Sequence, residues 1–316
     1  MLRSHIRAFS FMVRYPAREH MADCPPVTGS LSEVTSSGNV TTATVTELFI
    51  YPVKSTRGIA RDRVRIAATG FEWDRQWMII DHKGTFLSQR THPQLTQIVP
   101  QLAPDALILR HAKRASLTVP FTDHGERLAV SVHRDPCVGI DQGSEAAEWV
   151  SAALGQAVRL VRVPDHPARR ANPKFAGTVE APMGFADGFP MLVCNQASLD
   201  DLNARMSAPI PMERFRPNIV LQGLAPWAED RIDTLTVGPL TLRLVKPCTR
   251  CAIPSIDQRT GERSTDPLPV LRPFRFDREL LGITFGENAV IVAGAGCELA
   301  RGSAASVSFE PAATVS

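Results

Sequence analysis

Three short stretches of this chain carry residue types able to bind or react. The first is Cys248-Thr249-Arg250-Cys251, the only closely spaced pair among six cysteines (Cys24, Cys137, Cys194, Cys248, Cys251 and Cys297). A thiolate binds soft metals, and neighbouring cations favour it. Lys246, Arg250 and Arg259 crowd the pair in sequence. A zinc ribbon needs a second ligand pair at matching spacing, and there is none. A thioredoxin-type couple needs a helix after the pair, and Pro254 and Asp257 fit a helix poorly. A reactive or metal-binding thiol therefore stands against two ordinary cysteines at a strand end. The second stretch is Lys54-Ser55, just past Tyr51-Pro52-Val53. Lysine binds phosphate as a point charge and serine adds a hydroxyl; a solvated lysine is the plain alternative. Arg75 after Asp74 offers a further cation, with a surface ion pair as its alternative. The third is Arg214-Phe215-Arg216-Pro217-Asn218. The proline fixes an extended entry into the next strand, so Arg216 and Asn218 are rigidly aimed. That pair suits a polar, anionic ligand; an arginine on a sheet edge is the alternative. His92 has no partner in view to make it a general base. No nucleophile elbow, dinucleotide fingerprint or Walker A pattern occurs.

The elements that position these residues are mostly strands. Val45 to Tyr51 is β-branched and aromatic, and Asp62 to Ala67 alternates. Arg75 to Asp81 and Thr85 to Ser88 predict a hairpin with Gly84 in its turn. Ala106 to Arg110 and Ala115 to Pro120 predict a second hairpin, followed by a strand over Arg127 to His133. Ser144 to Leu154 has helical spacing, and Gln156 to Val163 returns to strand. Residues 164–190 are basic and then rich in Gly and Pro, a long loop of the kind that is functional or a linker. Beyond it come a strand at Met191 to Cys194, a helix capped by Asn195 or Ser198, and strands at Ile219 to Gln222, Arg231 to Val245 (turning at Gly238-Pro239), Val290 to Ala293 and Ala305 to Phe309. The expected fold is a β-rich α+β protein with a few short helices. A disordered or mis-started leader spans 1–44, and domains span 45–164 and 165–312.

Composition excludes several classes. The 316 residues are 44% hydrophobic and 21% charged, and 35 basic against 32 acidic residues leave only +3. That balance gives no electrostatic footprint for nucleic acid. No run of about 18 apolar residues exists, so no membrane helix is expected. The cysteine count is too low for a disulfide framework, and a cytoplasmic location fits. The first residues carry Arg3, Arg7, Arg14 and Arg18 before the first acid, Glu19. A transit peptide has this composition; a start at Met21 is the favoured alternative.

The chain resembles MOSC-domain proteins with a MOSC N-terminal β-barrel domain, a group that includes the mitochondrial amidoxime-reducing component and bacterial reductases of N-hydroxylated bases. The resemblance rests on ordered blocks: Leu48 to Ser55, Gly70 to Met78, Phe185 to Pro190, Arg214 to Val220, Trp227 to Asp230, Val245 to Cys251, Asp257 to Gly261 and Phe285 to Asn288. It implies an N-terminal β-barrel-like domain followed by a MOSC barrel. It also implies a molybdenum cofactor (Mo-molybdopterin) site shared between them. Cys251 would be the metal ligand and catalytic residue, with Cys248 a neighbour. Lys54, Ser55 and Arg75 would grip the cofactor's phosphate and Arg216 and Asn218 its pterin, with Asp187 and Gly188 lining the same site. The implied activity is reduction of amidoximes, hydroxylamines and N-hydroxylated bases, a detoxification. With only Cys297 after Cys251, no iron–sulfur cluster is expected, so electrons would come from a separate ferredoxin, flavoprotein or haem protein. The alternative is a molybdenum-cofactor sulfur-transfer or carrier protein.

Overall fold

The structure, a computed structural model, describes residues 40–310. The leader expected over 1–44 lies outside the described residues up to residue 39. From Val40 the chain is already a strand, five residues before the β-branched run at Val45.

Seven strands close into a barrel. They are β1 (Val40–Ile50), β2 (Met191–Asn195), β3 (Ile219–Gln222), β4 (Ile232–Val237), β5 (Leu240–Thr249), β6 (Gly282–Ala293) and β7 (Ala304–Phe309). Their order around the ring is β2-β3-β1-β7-β4-β5-β6, and β6 pairs back onto β2. Only β2 and β3 run parallel, with Val193 opposite Ile219. The first strand is thus clasped by strands distant in sequence: Thr44 faces Gln222 on one side, and Thr42 faces Ser306 on the other. The interior is aliphatic, with Val45, Leu48, Val193, Ile219, Leu221, Leu235, Leu242, Ala289 and Val307 each buried. β4 alternates from Leu235 to Val237, and the register shift between Ile232 and Thr234 brings Ile232 to the same buried face while Asp233 faces solvent.

The remaining strands form smaller antiparallel sheets. One orders Trp77–Ile80, Arg159–Arg162, Asp135–Asp141 and Arg127–Val132. A three-stranded meander joins Val99–Leu102, Ala106–His111 and Arg114–Pro120. The helix Gly143–Leu154 packs Ala146, Val150 and Leu154 into the core between them. Gly155, in the left-handed conformation at φ 71°, ends it. The architecture is the β-rich α+β fold expected. One hairpin differs: Thr85 to Ser88 is no regular strand, and only Phe86 bridges Ile80. Asp81 caps that turn instead, its Oδ1 accepting the N–H groups of Lys83 and Thr85 at 2.8 and 2.9 Å.

Candidate functional site

β1 delivers the first site residues. Beyond Ile50 the chain runs beside the entry to the Trp77 strand. Arg75 N–H donates to Tyr51 O at 2.9 Å, Trp77 N–H to Pro52 O at 2.9 Å and Lys54 N–H to Trp77 O at 2.7 Å. These three bonds lock Lys54, Ser55 and Arg75 into one unit. The second wall is Phe215 to Asn218. Asn218 is 1% exposed and ties strand ends together: its amide donates to Phe49 O at 3.2 Å, and its oxygen accepts from Leu192 N–H at 3.1 Å and Arg75 Nη1 at 3.3 Å. The third wall is the end of β5 with the residues after it, Cys248 to Cys251.

A cleft of about 140 Å³ collects all eight candidates: Lys54, Ser55, Arg75, Asp187, Gly188, Arg216, Asn218 and Cys251. Three of them, Ser55, Arg75 and Arg216, have left-handed backbones at φ 64°, 48° and 58°. Non-glycine residues avoid that region, and the strain persists where surrounding structure enforces it. Here side-chain bonds do so. A reciprocal amide pair joins Gln89 and Gln258, both bonds 3.0 Å. Gln89 also donates to Ser55 O at 2.8 Å, and Arg216 donates to Thr56 O at 2.7 Å and to Gln258 Oε1 at 3.3 Å. Sequence reasoning missed both glutamines; as neutral residues far apart in sequence they give no local signal.

The cations differ in how they are balanced. Lys54, 5% exposed, pairs with Asp187 and donates to Phe185 O at 2.8 Å. Burial lowers its pKa, and Asp187 opposes that. Asp187 accepts from Lys54 and, at 2.9 Å, from His133 Nε2. Burial works against its charge, yet Lys54 and His133 hold it well below the usual carboxylate range. Its side chain is 69% open to solvent, so the two donors outweigh burial. Arg75 pairs with Asp74 at 2.5 Å. Asp74 is buried, so this is no surface ion pair; Asp74 also accepts Tyr51 N–H at 2.8 Å. Arg216 and Arg250 make no ion pair among the described residues. Arg216 stacks on Tyr51 at 4.2 Å, with Arg75 stacked on the same ring at 4.2 Å. Burial pushes the Arg216 pKa down to about 10. The cleft therefore holds two guanidinium groups lacking a carboxylate, and an anion of matching charge fits it.

Of the three cations expected around the cysteines, only Arg250 is there. It donates to Cys248 Sγ at 3.0 Å and to Phe215 O at 2.6 Å. Lys246 lies over Phe175, and Arg259 binds through its carbonyl to Arg57. Alternation alone would set Lys246 and Cys248 on one face of β5, and the register shift between Pro247 and Thr249 breaks that pattern. The Cys251 thiol has no hydrogen-bond partner among the described residues and opens on the cleft. Among the described residues the His92 ring bonds only Thr91, at 2.8 Å, and it does not line the cleft.

Behind Cys248 lies a buried acidic pair, Glu229 and Glu287. Glu287 is 3% exposed and Glu229 fully buried. Burial, with Asp230, Cys248 and Glu229 nearby, pushes Glu287 up to about 10 against the pull of Arg275. Burial raises Glu229 to about 7, its bond from Ser198 at 2.7 Å opposing that. Gly286, inside β6 at φ 72°, lets the strand pass close to Cys194 before Glu287: a Cβ there would meet Cys194 Sγ at 2.6 Å.

Comparison with known proteins agrees with this layout. Residues 42–157 match the MOSC N-terminal beta barrel domain, and residues 180–300 match the MOSC domain. Mitochondrial amidoxime-reducing component 1 of Mus musculus is 33% identical over 242 residues, 73% of this chain and 71% of the relative. The Homo sapiens protein of that name is 32% identical and covers 78% of each chain. Molybdenum cofactor sulfurase of Drosophila mojavensis is 32% identical over 75% of this chain but only 31% of its own length.

Proposed function

We infer the function from one premise: the chain belongs to the MOSC-domain proteins that carry a MOSC N-terminal β-barrel domain. On that premise the chain is a molybdenum-cofactor-dependent reductase of N-hydroxylated compounds, supplied with electrons by a separate protein. The carrying observation is the convergence of eight candidate residues on one cleft in which Arg216 and Arg250 lack carboxylate partners. A pterin phosphate supplies the missing charge, and Ser55, Arg75, Arg216 and Asn218 form the walls around it. Lys54 sets the position of Asp187 beside them. Cys251, with its thiol open to the cleft, is the residue to ligate molybdenum as a soft thiolate. When bound, the cofactor supplies two-electron chemistry at an N–O bond. The overall change is amidoxime plus two electrons and two protons giving amidine and water. The protein's part is to hold the phosphate, aim the thiolate and fix the carboxylate at Asp187. Substrates are small, and a cytoplasmic location suits the reading. No helix among the described residues is long and apolar enough to cross a membrane.

The test is direct. Protein made in a host able to build the cofactor should contain molybdenum and pterin near one per chain, and reduce benzamidoxime with an artificial donor. Molybdenum without N-reduction would favour the sulfur-transfer or carrier alternative, which the sulfurase relatives support. Absence of both molybdenum and pterin would sink the cofactor reading.

A further inference from the structure

Asp187 makes both of its side-chain bonds through one oxygen. Oδ1 accepts from Lys54 Nζ and from His133 Nε2, while Oδ2 has no hydrogen-bond partner among the described residues. Nor is Oδ2 sealed from solvent, since it is absent from the buried unpaired atoms and the side chain is 69% exposed. The carboxylate is nonetheless held firmly. Arg169, 7% exposed, donates to Gly184 O and Ala186 O at 2.7 Å each and to Asp187 O at 3.3 Å. Asp135 anchors that guanidinium at 3.0 Å. On the other side the His133 ring meets Phe86 edge-on at 5.0 Å, and Lys54 lies over the same Phe86 ring at 4.8 Å. His133 itself sits at φ 56°, a conformation its turn must enforce. Five segments distant in sequence thus converge to fix one carboxylate with one oxygen to spare.

Asp187 is also the only carboxylate among the residues lining the cleft; the other charged groups there are Lys54, Arg75, Arg216 and Arg250. A group that donates N–H toward the cleft has one fixed anionic acceptor available to it.

We propose that Asp187 Oδ2 recognises the substrate's nitrogen, so that this residue selects N-hydroxylated bases bearing N–H donors, such as amidoximes and hydroxyguanidines, over N-oxides of tertiary amines. The inference rests on the reductase reading and adds to it the determinant of substrate class. An amidine or amidoxime presents N–H groups that bond a carboxylate with charge assistance. A tertiary N-oxide presents none, and its oxygen is repelled by the same carboxylate. The clamp by Lys54, His133 and Arg169 means no ordering cost at binding. The low pKa of Asp187 keeps the acceptor charged throughout the neutral range.

The test uses the full chain in two forms. In cofactor-free protein, calorimetric titration compares benzamidine with benzamide, its uncharged isostere. The wild type should bind benzamidine at least about tenfold tighter, the ratio one charged hydrogen bond provides. D187N should lose that preference, and D187E should restore part of it. Unfolding curves on D187N and D187E guard against a misfolded variant. In loaded enzyme, D187N should raise KM for benzamidoxime about tenfold to hundredfold more than it changes KM for trimethylamine N-oxide. Equal binding of benzamidine and benzamide by the wild type overturns the proposal, as does a preference that survives in D187N. A preference that depends on Asp187 in protein that never takes up molybdenum overturns the reductase reading and, with it, the assignment of that preference to a substrate.

Discussion

Replacing Arg216 by methionine separates a binding arginine from a structural one. At pH 7 the side chain is charged in folded and unfolded states alike, so the folded protein bears the whole cost of burying it. A depression from 12.5 to about 10 corresponds to about 3 kcal/mol. Against that relief stand the bonds to Thr56 O at 2.7 Å and Gln258 Oε1 at 3.3 Å, and the stack on Tyr51 at 4.2 Å. Those losses are about 2–4 kcal/mol together. Methionine keeps the strained φ and still packs on the ring, so the terms nearly cancel. The cofactor-free variant should unfold in urea within about 1.5 kcal/mol of wild type. The same change at Arg75 should cost about 3–5 kcal/mol, because it leaves the buried Asp74 carboxylate unpaired. Yet R216M should emerge from a cofactor-competent host nearly free of molybdenum and pterin. If the empty R216M protein proves as unstable as R75M, or if it retains the cofactor, the anion-binding account of Arg216 is wrong.

Other expectations follow from neighbouring geometry. Cys251→Ala should abolish turnover and molybdenum uptake, while Cys248→Ala, which loses only the Arg250 contact at 3.0 Å, should keep much of both; the reverse result would exchange the two roles. Glu287→Gln tests the buried acid. With its pKa raised from 4.5 to about 10, the folded state keeps a proton that the unfolded state releases. Wild-type stability should therefore fall as pH rises from about 4.5 toward 10, and E287Q should be the more stable of the two at pH 8 but equal near pH 4, measured by urea unfolding. Gly286→Ala should lose about 2 kcal/mol or more in the same assay, since its methyl meets Cys194 Sγ at 2.6 Å at φ 72°. Gly188→Ala adds a methyl that meets nothing within 4 Å and should change stability by less than about 0.5 kcal/mol.

Local chemistry was legible in the sequence, and long-range closure was not. The strand at Val45, the hairpin at 106–120 and the helix before Gly155 follow from periodicity and turn residues, which are local. Lys54, Arg75, Arg216 and Asn218 stood out because each borders a strand entry, where a side chain is held by backbone on both sides. Their partners did not. Gln89 and Gln258 are ordinary polar residues until the fold pairs them. Strand Asp135–Asp141 was hidden by Pro136 and Gly139, which weaken β patterning. Most of β6 was hidden in the same way by Gly282, Gly286 and Asn288. The helix Leu268–Arg275 was concealed by three prolines, Pro267 at its cap, Pro269 in its first turn and Pro273 in its interior. Balance of charge was visible only in part: Asp74 beside Arg75 foreshadowed their ion pair, but nothing near Arg216 in sequence shows that it lacks a carboxylate.

The position of β1 in the ring also sets how the molecule can be made. This strand is among the first described residues, but its two flanking partners are β3, beginning at residue 219, and β7, beginning at residue 304. During synthesis at about 5–20 residues per second, β1 waits roughly ten to thirty seconds for its first barrel neighbour. Through that interval, apart from the pairing of Phe49 and Ile50 with Ile59–Ala60, its hydrogen-bonding edges are open over a Val- and Thr-rich run, the kind of segment that recruits stray strands. The smaller sheets, whose strands lie close in sequence, can assemble meanwhile and hold the exit of β1 through the bonds at Tyr51, Pro52 and Lys54. The same segment that later fixes the cleft would then serve, on the ribosome, as the tether that keeps an unpaired strand from wandering.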